Sequence, residues 1–345
     1  MTAPIEAAAG LAERLDALLP RLFERSPRAL GRAISMVEDG GPAQRELVGR
    51  IYSRTGRARV VGVTGPPGAG KSTLVDRLAR LCRQRGETVG ILAVDPTSPY
   101  TGGALLGDRI RMQSLYTDPG VFIRSMATRG AMGGLARATR DAVDVLDAAG
   151  FDWVLVETVG VGQDEVEVVR SVDTVVVVTV PGLGDDIQAI KAGILEIADV
   201  FSVNKADREG ADRVAKDLQM MLSIGEHGAW VPPIVRTVAS RDEGIDRLLA
   251  AVEKHREHLA ASGELELRRR SHLRLRVEML LKERVVATAD RVLGLDREVQ
   301  RGFVENLDPY RVADRLFAGV LRGGQEAAAA AVGAPAAGGP RERLP

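Results

Sequence analysis

The residues Gly65-Pro66-Pro67-Gly68-Ala69-Gly70-Lys71-Ser72-Thr73 carry the plainest chemistry in this sequence. Phosphate oxygens are held by backbone N–H groups that converge on a small hollow, and side chains at the glycine positions would fill it. A helix starting at Lys71 would bring the positive end of its dipole to the same place. In such a loop the lysine bridges the outer phosphates of a nucleoside triphosphate, and the Ser72 hydroxyl faces Mg²⁺. An apolar run, Val60-Val61-Gly62-Val63, precedes the loop, and an amphipathic stretch through Leu74, Val75, Leu78 and Leu81 follows it. The strand–loop–helix setting is therefore present.

Acidic residues near strand ends would complete the phosphate and magnesium chemistry. Asp95 follows the apolar run Val89 to Val94, and Glu157 closes the run Trp153 to Val156. Gly160, three residues beyond Glu157, is placed to offer its N–H to a terminal phosphate. Asp108 lies in the glycine-rich stretch Thr101 to Asp108. The expected catalytic set is Lys71, Asp95, Asp108, Glu157 and Gly160, with Ser72, Asp95, Asp108 and Glu157 around the metal. Gln163 stands at an offset from Gly160 that leaves the water-positioning residue unassigned.

Base selection is expected from Asn204-Lys205-Ala206-Asp207, after the apolar run Val200 to Val203. Guanine offers N1–H and N2–H₂ together, a donor pair that one carboxylate accepts and adenine lacks. A carboxylate facing adenine would stay buried without partners, so Asp207 favours GTP over ATP. Lys205 can lie along the ring through its aliphatic stem, and Asn204 can tie the base loops together. Ala239 and Ser240, after the run Ile234 to Val238, are placed to direct an N–H at guanine O6.

Positioning these groups requires apolar strands buried on both faces and interleaved with helices. The expected fold is therefore an α/β P-loop domain with a mostly parallel sheet. Strands are predicted at 60–63, 89–94, 121–123, 153–156, 174–180, 200–203 and 234–238. Helices are predicted at 136–148, around 213–224 and at 244–259. Residues 1–55 read as a helical extension broken at Asp39-Gly40-Gly41-Pro42, and 56–260 as the nucleotide domain. Residues 261–322 read as helical, beginning with a long charged helix from Leu265, and 323–345 as a tail without regular structure.

Lys plus Arg and Asp plus Glu number 47 each, so the net charge gives no support for a nucleic-acid or anionic-membrane partner. No apolar run approaches the roughly 20 residues of a membrane-spanning helix, and the expected location is cytoplasmic. The single cysteine, Cys82, excludes an internal disulfide and reads as a small core residue. His255 and His258, three apart on a charged helix, read as solvated.

Taken together, these motifs resemble the methylmalonyl-CoA mutase-associated GTPases, formerly described as arginine/ornithine transport kinases, in the cofactor-chaperone branch of P-loop GTPases. The resemblance rests on Gly65 to Thr73, Val94 to Ser98, Thr101-Gly102-Gly103 with Gly107-Asp108, and Glu157 to Gln163. Pro181-Gly182-Leu183-Gly184-Asp185-Asp186-Ile187-Gln188, Asn204 to Asp207 and Asp308-Pro309-Tyr310 complete it. It implies GTP and GDP as ligands with Mg²⁺, and Asp95, Asp108 and Glu157 around the metal. It further implies a switch at Pro181 to Lys191 and a homodimer formed by the C-terminal helical part. The implied partner is an adenosylcobalamin-dependent methylmalonyl-CoA mutase or a related acyl-CoA mutase, whose cofactor loading and reactivation GTP hydrolysis would gate. A nickel-inserting GTPase, a GTP-dependent kinase and a non-hydrolytic GTP-bound switch are the rival readings.

Overall fold

A computed structural model describes the backbone of residues 3–95, 115–127, 134–158, 172–182, 197–224 and 228–332. The side chains of 3–9, 95, 127, 134–136 and 323–332 are outside that description. The chain divides into two compact units, residues 1–269 and 270–345.

The first unit is built on parallel strands β1 (Arg59–Thr64), β2 (Val89–Asp95), β3 (Val121–Ala127), β4 (Trp153–Thr158), β5 (Thr174–Thr179), β6 (Val200–Val203) and β7 (Ile234–Arg236). Their order across the sheet is β3-β2-β4-β1-β5-β6-β7, so β1 lies between β4 and β5. All strands run the same way, which brings their C-terminal ends to one edge. In α/β sheets that edge is where ligands bind.

Successive β-branched residues face opposite sides, as the pleat demands. Val175 and Val177 join one core, and Val176 and Val178 the other. Helix α1 (Ala3–Phe23), α2 (Pro27–Asp39) and α3 (Gly41–Ile51) cover one face, with the break at Gly40 and Gly41 where the sequence places it. Helix α4 (Lys71–Gln84) lies on the other face and holds Cys82 fully buried. Burial pushes the Cys82 thiol up to about 12, so it behaves as an apolar core atom.

The N-terminal helices are fixed by buried polar contacts as well as apolar packing. On helix α5 (Gly134–Ala148), Asp141 accepts from Gln44 of α3. Asp147 accepts from the N–H groups of Gly56, Arg57 and Ala58 at 2.5, 3.1 and 2.8 Å. Arg124 of β3 reaches Glu38 of α2 at 2.6 Å.

The remaining helices of this unit are α6 (Ala211–Ile224) and α7 (Ile245–Ser262). Helix α8 (Glu264–Leu293) starts in the first unit and continues into the second. At its root Arg268 grips Asp199 with both Nη atoms, at 2.9 and 2.8 Å, and Arg269 meets Asp173 at 2.9 Å. The second unit continues through α9 (Leu295–Val304) and α10 (Pro309–Val332). Helix α10 carries on past Gly323, and residues 333–345 lie outside the described residues.

Three expectations change in detail. Strand β3 runs to Ala127 rather than stopping at Ile123, because Arg124 and Ser125 interrupt the apolar pattern without interrupting the pairing with β2. Strand β7 stops at Arg236, because Val238 bends away to pair with Glu243. His255 is fully buried rather than solvated, since the α7 face bearing it packs under β5 and its Nδ1 lies 2.9 Å from Thr174 Oγ1. Among the described residues, no helix is long and apolar enough to cross a membrane.

Candidate functional site

The loop after β1 closes tightly against the sheet. A Cβ on Gly65 would stand 2.2 Å from the carbonyl oxygen of Val178 in β5, a separation no side chain tolerates. A Cβ on Gly70 would stand 2.6 Å from Asn204 Nδ2, and Gly70 also has φ of +88° at the start of α4. These glycines keep side-chain atoms out of the cradle and let its backbone meet the neighbouring loops. Lys71 is buried, and its Nζ donates to the carbonyls of Gly65 at 2.6 Å and Pro66 at 3.0 Å. The ammonium therefore lies over the loop where phosphate oxygens would be bound.

Ser72 and Glu157 come together although 85 positions separate them. The Ser72 hydroxyl donates to Glu157 Oε1 at 2.5 Å, and both side chains are buried. Register explains the meeting: Glu157 pairs with Val63 of β1 and Ala93 of β2 near the sheet edge, and by alternation it shares the α4 face with Trp153 and Leu155. A hydroxyl beside a carboxylate is a hard oxygen pair suited to Mg²⁺, which takes one or two protein ligands and completes its shell with water and phosphate. One residue further along these strands, Thr158 donates to Thr64 at 3.1 Å. Asp95 ends β2 on the same edge, with its side chain outside the described residues. Asp108 and Gly160 lie wholly outside them.

The loops after β6 and β7 form a second hydrogen-bonded frame. Asn204, buried at the end of β6, donates from Nδ2 to the Ala69 carbonyl at 2.8 Å. Its Oδ1 accepts from the Ala239 N–H at 3.1 Å and the Thr237 hydroxyl at 3.2 Å. One amide thus joins the phosphate loop, the β6 loop and the β7 loop. Lys205 adopts φ of +56°, turns back over the phosphate loop and donates to the Gly68 carbonyl at 2.7 Å. Asp207 reaches into solvent, where Arg241 Nη2 lies 3.3 Å from its Oδ2. Ser240 and Thr73 are exposed, as are Pro67 and Gly68, while Pro66 and Ala69 are buried.

The candidate residues that fall among the described ones therefore share one sheet edge. Sequence reasoning missed two contributors. Thr237 backs Asn204 through its hydroxyl, and its carbonyl accepts from the Ala206 N–H at 3.0 Å. Arg241 meets Asp207, and its only signal in the sequence was an arginine directly after Ala239 and Ser240.

Comparison with known proteins gives the family. The sequence model of the family described as methylmalonyl Co-A mutase-associated GTPase MeaB matches residues 30–292. A relative from Pyrococcus abyssi is 48% identical over 317 residues, covering 90% of this chain and 98% of that protein. The mouse protein described as methylmalonic aciduria type A homolog, mitochondrial, is 32% identical over 338 residues, covering 89% of this chain and 81% of that one. The crystal structure of a LAO/AO transport system kinase matches with a TM-score of 0.67 at 28% identity, covering 88% of this chain and 96% of that one. The chain belongs to the MeaB family of mutase-associated P-loop GTPases, enzymes that bind and hydrolyse GTP.

Proposed function

We propose that this GTPase acts as a nucleotide-dependent chaperone of an adenosylcobalamin-dependent acyl-CoA mutase, with methylmalonyl-CoA mutase as the partner. The family match over residues 30–292 carries the partner assignment, and the relationship to the mouse methylmalonic aciduria type A homolog supports it. The nucleotide half of the proposal rests on one observation above all, the Asn204 amide that couples phosphate loop and base loops.

In this reading the backbone of Gly65 to Gly70 and the helix start at Lys71 and Ser72 hold the phosphates of GTP or GDP. Lys71 leaves the loop carbonyls for the β and γ phosphates and stabilises charge developing on their oxygens. Ser72, Glu157, Asp95 and Asp108 are the proposed Mg²⁺ set, with Glu157 acting directly or through a water. Bound there, Mg²⁺ would neutralise phosphate charge during attack by water. Asp207 reads the guanine edge, Lys205 covers the ring, and the loop at Ala239 and Ser240 closes over O6. Gly160 is proposed to contact the γ phosphate.

Residues 261–322 are proposed as the dimerisation region, with 56–260 as the nucleotide domain. Large apolar side chains there are exposed in the single chain, among them Phe303 and Tyr310 at 82% each and Val304 at 73%. Exposed apolar side chains of this size support an interface in this region. Sedimentation of Phe303→Glu with Tyr310→Glu should shift a dimer to a monomer, and an unchanged dimer would remove this region from the interface.

The whole proposal is tested by affinity capture from extract with and without a non-hydrolysable GTP analogue, followed by hydrolysis assays on the recovered pair. An adenosylcobalamin mutase should dominate the captured material and raise the rate of hydrolysis. Turnover that is the same with and without the mutase would count against a chaperone coupled to it.

A further inference from the structure

We infer that Arg241 is a positioning residue for guanine recognition, holding the Asp207 carboxylate at the angle at which both oxygens meet the base; the inference rests on Asp207 being the base-reading group. Asp207 sits on a loop after β6 with its side chain 34% exposed. Among the described residues, the Arg241 guanidinium faces its carboxylate at ion-pair distance, Nη2 to Oδ2 at 3.3 Å.

Arg241 is itself well placed to act as a fixed support. It ends a 3₁₀ turn, Ala239–Arg241, and its N–H donates to the Val238 carbonyl at 2.9 Å. The start of that turn is held by Asn204 through the Ala239 N–H, on the very loop that carries Asp207. Beyond the turn, the N–H of Val238 donates to the Glu243 carbonyl at 2.9 Å, closing the loop on itself. The next residue, Asp242, is bridged to Arg77 of α4 at 3.1 Å. The backbone bearing Arg241 is therefore tied to the phosphate-loop helix on one side and to the base loop on the other.

The contact leaves room for the base. An ionised carboxylate has about four acceptor positions, and a guanidinium facing Oδ2 alone leaves Oδ1 and an Oδ2 position open. Guanine N1–H and N2–H₂ need one position on each oxygen. Arg241 and the base are thus simultaneous partners rather than competitors. Loss of the guanidinium frees the carboxylate to rotate, and the two-point contact with guanine suffers more than a one-point contact would. Hypoxanthine, which lacks the 2-amino group, makes only the N1–H contact.

The test is nucleotide titration of the full chain by calorimetry, using GTP, ITP and XTP with Mg²⁺ on wild type, Arg241→Ala, Arg241→Lys and Asp207→Asn. The Arg241 side chain is 61% exposed, so the pair lies in the range of solvent-screened ion pairs. Arg241→Ala should lower the preference for GTP over ITP about three- to fivefold, the size expected of an exposed ion pair. ITP affinity should change less, Arg241→Lys should restore part of the preference, and high salt should move wild type towards the alanine variant. A preference that is unchanged in Arg241→Ala overturns the inference. So does an equal loss for GTP and ITP, which would mark general loosening of the loop, or a gain in GTP affinity, which would make Arg241 a competitor of the base. Asp207→Asn separates the underlying reading, since a switch from GTP towards XTP supports the base role of Asp207 whatever Arg241 does. If Asp207→Asn leaves nucleotide preference untouched, that reading fails, and the role of Arg241 fails with it.

Discussion

Asn204 and Ala69 are joined by a hydrogen bond of 2.8 Å from the side-chain amide to the main-chain carbonyl, across 135 positions of sequence. The same amide accepts from the Ala239 N–H, so one side chain ties the phosphate loop to the loops after β6 and β7. The loops proposed to bind phosphate and base are thus joined into one frame. Asn204→Ala would remove all these bonds at a buried position and strand their backbone partners. The expected loss of stability is about 1–3 kcal/mol, read from the denaturant midpoint, with GTP affinity down more than about tenfold. Retention of normal GTP affinity in a folded Asn204→Ala would show that the two halves bind independently.

Lys71→Ala should act on rate more than on fold. The ammonium now spans the carbonyls of Gly65 and Pro66, and its removal deprives the β and γ phosphates of their fixed positive partner. Turnover at saturating GTP should fall by about a hundredfold or more. An affinity loss alone, with turnover kept, would place Lys71 in ground-state binding.

A stability prediction concerns the root of α8. Burial alone would push the Asp199 carboxyl up, but the His255 ring beside it and the Arg268 fork outweigh burial, and the net shift is downwards. A carboxyl lowered in the folded state contributes stability that is complete above its unfolded value, about 3.9. That contribution is lost as pH falls from there through the lower folded value. Arg268→Ala should therefore cost about 2 kcal/mol near neutral pH, and the gap to wild type should shrink in acid below about pH 4. Denaturant melts at several pH values measure it. A gap that stays constant from neutral to strongly acidic conditions would place the cost in packing rather than in the ion pair.

Communication with the partner is expected at Pro181 to Lys191, of which residues 183–191 lie outside the described part. The segment leaves the end of β5, whose Val178 carbonyl abuts Gly65, so it starts beside the phosphate loop. Asp185→Ala combined with Gln188→Ala should spare intrinsic hydrolysis and reduce hydrolysis stimulated by the mutase. Equal collapse of both rates would assign these residues to core chemistry, and normal stimulation would move the switch to Thr101 to Asp108.

The sheet and the phosphate loop were legible because each is written in consecutive residues. Val175 to Val178 are buried on both faces of β5, and a continuous apolar run says so directly. The loop from Gly65 to Ser72 is recognisable from spacing alone, and Asn204 was recognisable as a tie between base loops from its motif at a strand end, though its bond to the phosphate loop was not. Arg241 was not legible, since its partnership with Asp207 exists only because β6 and β7 are neighbours. His255 misled for a related reason. Its own helix is rich in charge, and its partners come from far away in sequence, Thr174 at the start of a strand 81 positions off among them. Pairs created by strand order leave no mark at either end of the pair.

Strand order also sets when the site can exist during synthesis. The strand feeding the phosphate loop pairs Arg59 with Trp153 on one side and Val61 with Thr174 on the other, so both neighbours are made long after it. A nascent chain that ends before β5 has no Val178 carbonyl for Gly65 to close against, and one that ends before β6 has no Asn204. Such long-range parallel pairings form slowly, and unpaired strands stay open to aggregation while they wait. Newly made chains should therefore be blind to GTP until most of the first unit has left the ribosome. From that point nucleotide binds only the completed sheet and, by mass action, draws the last folding steps forward.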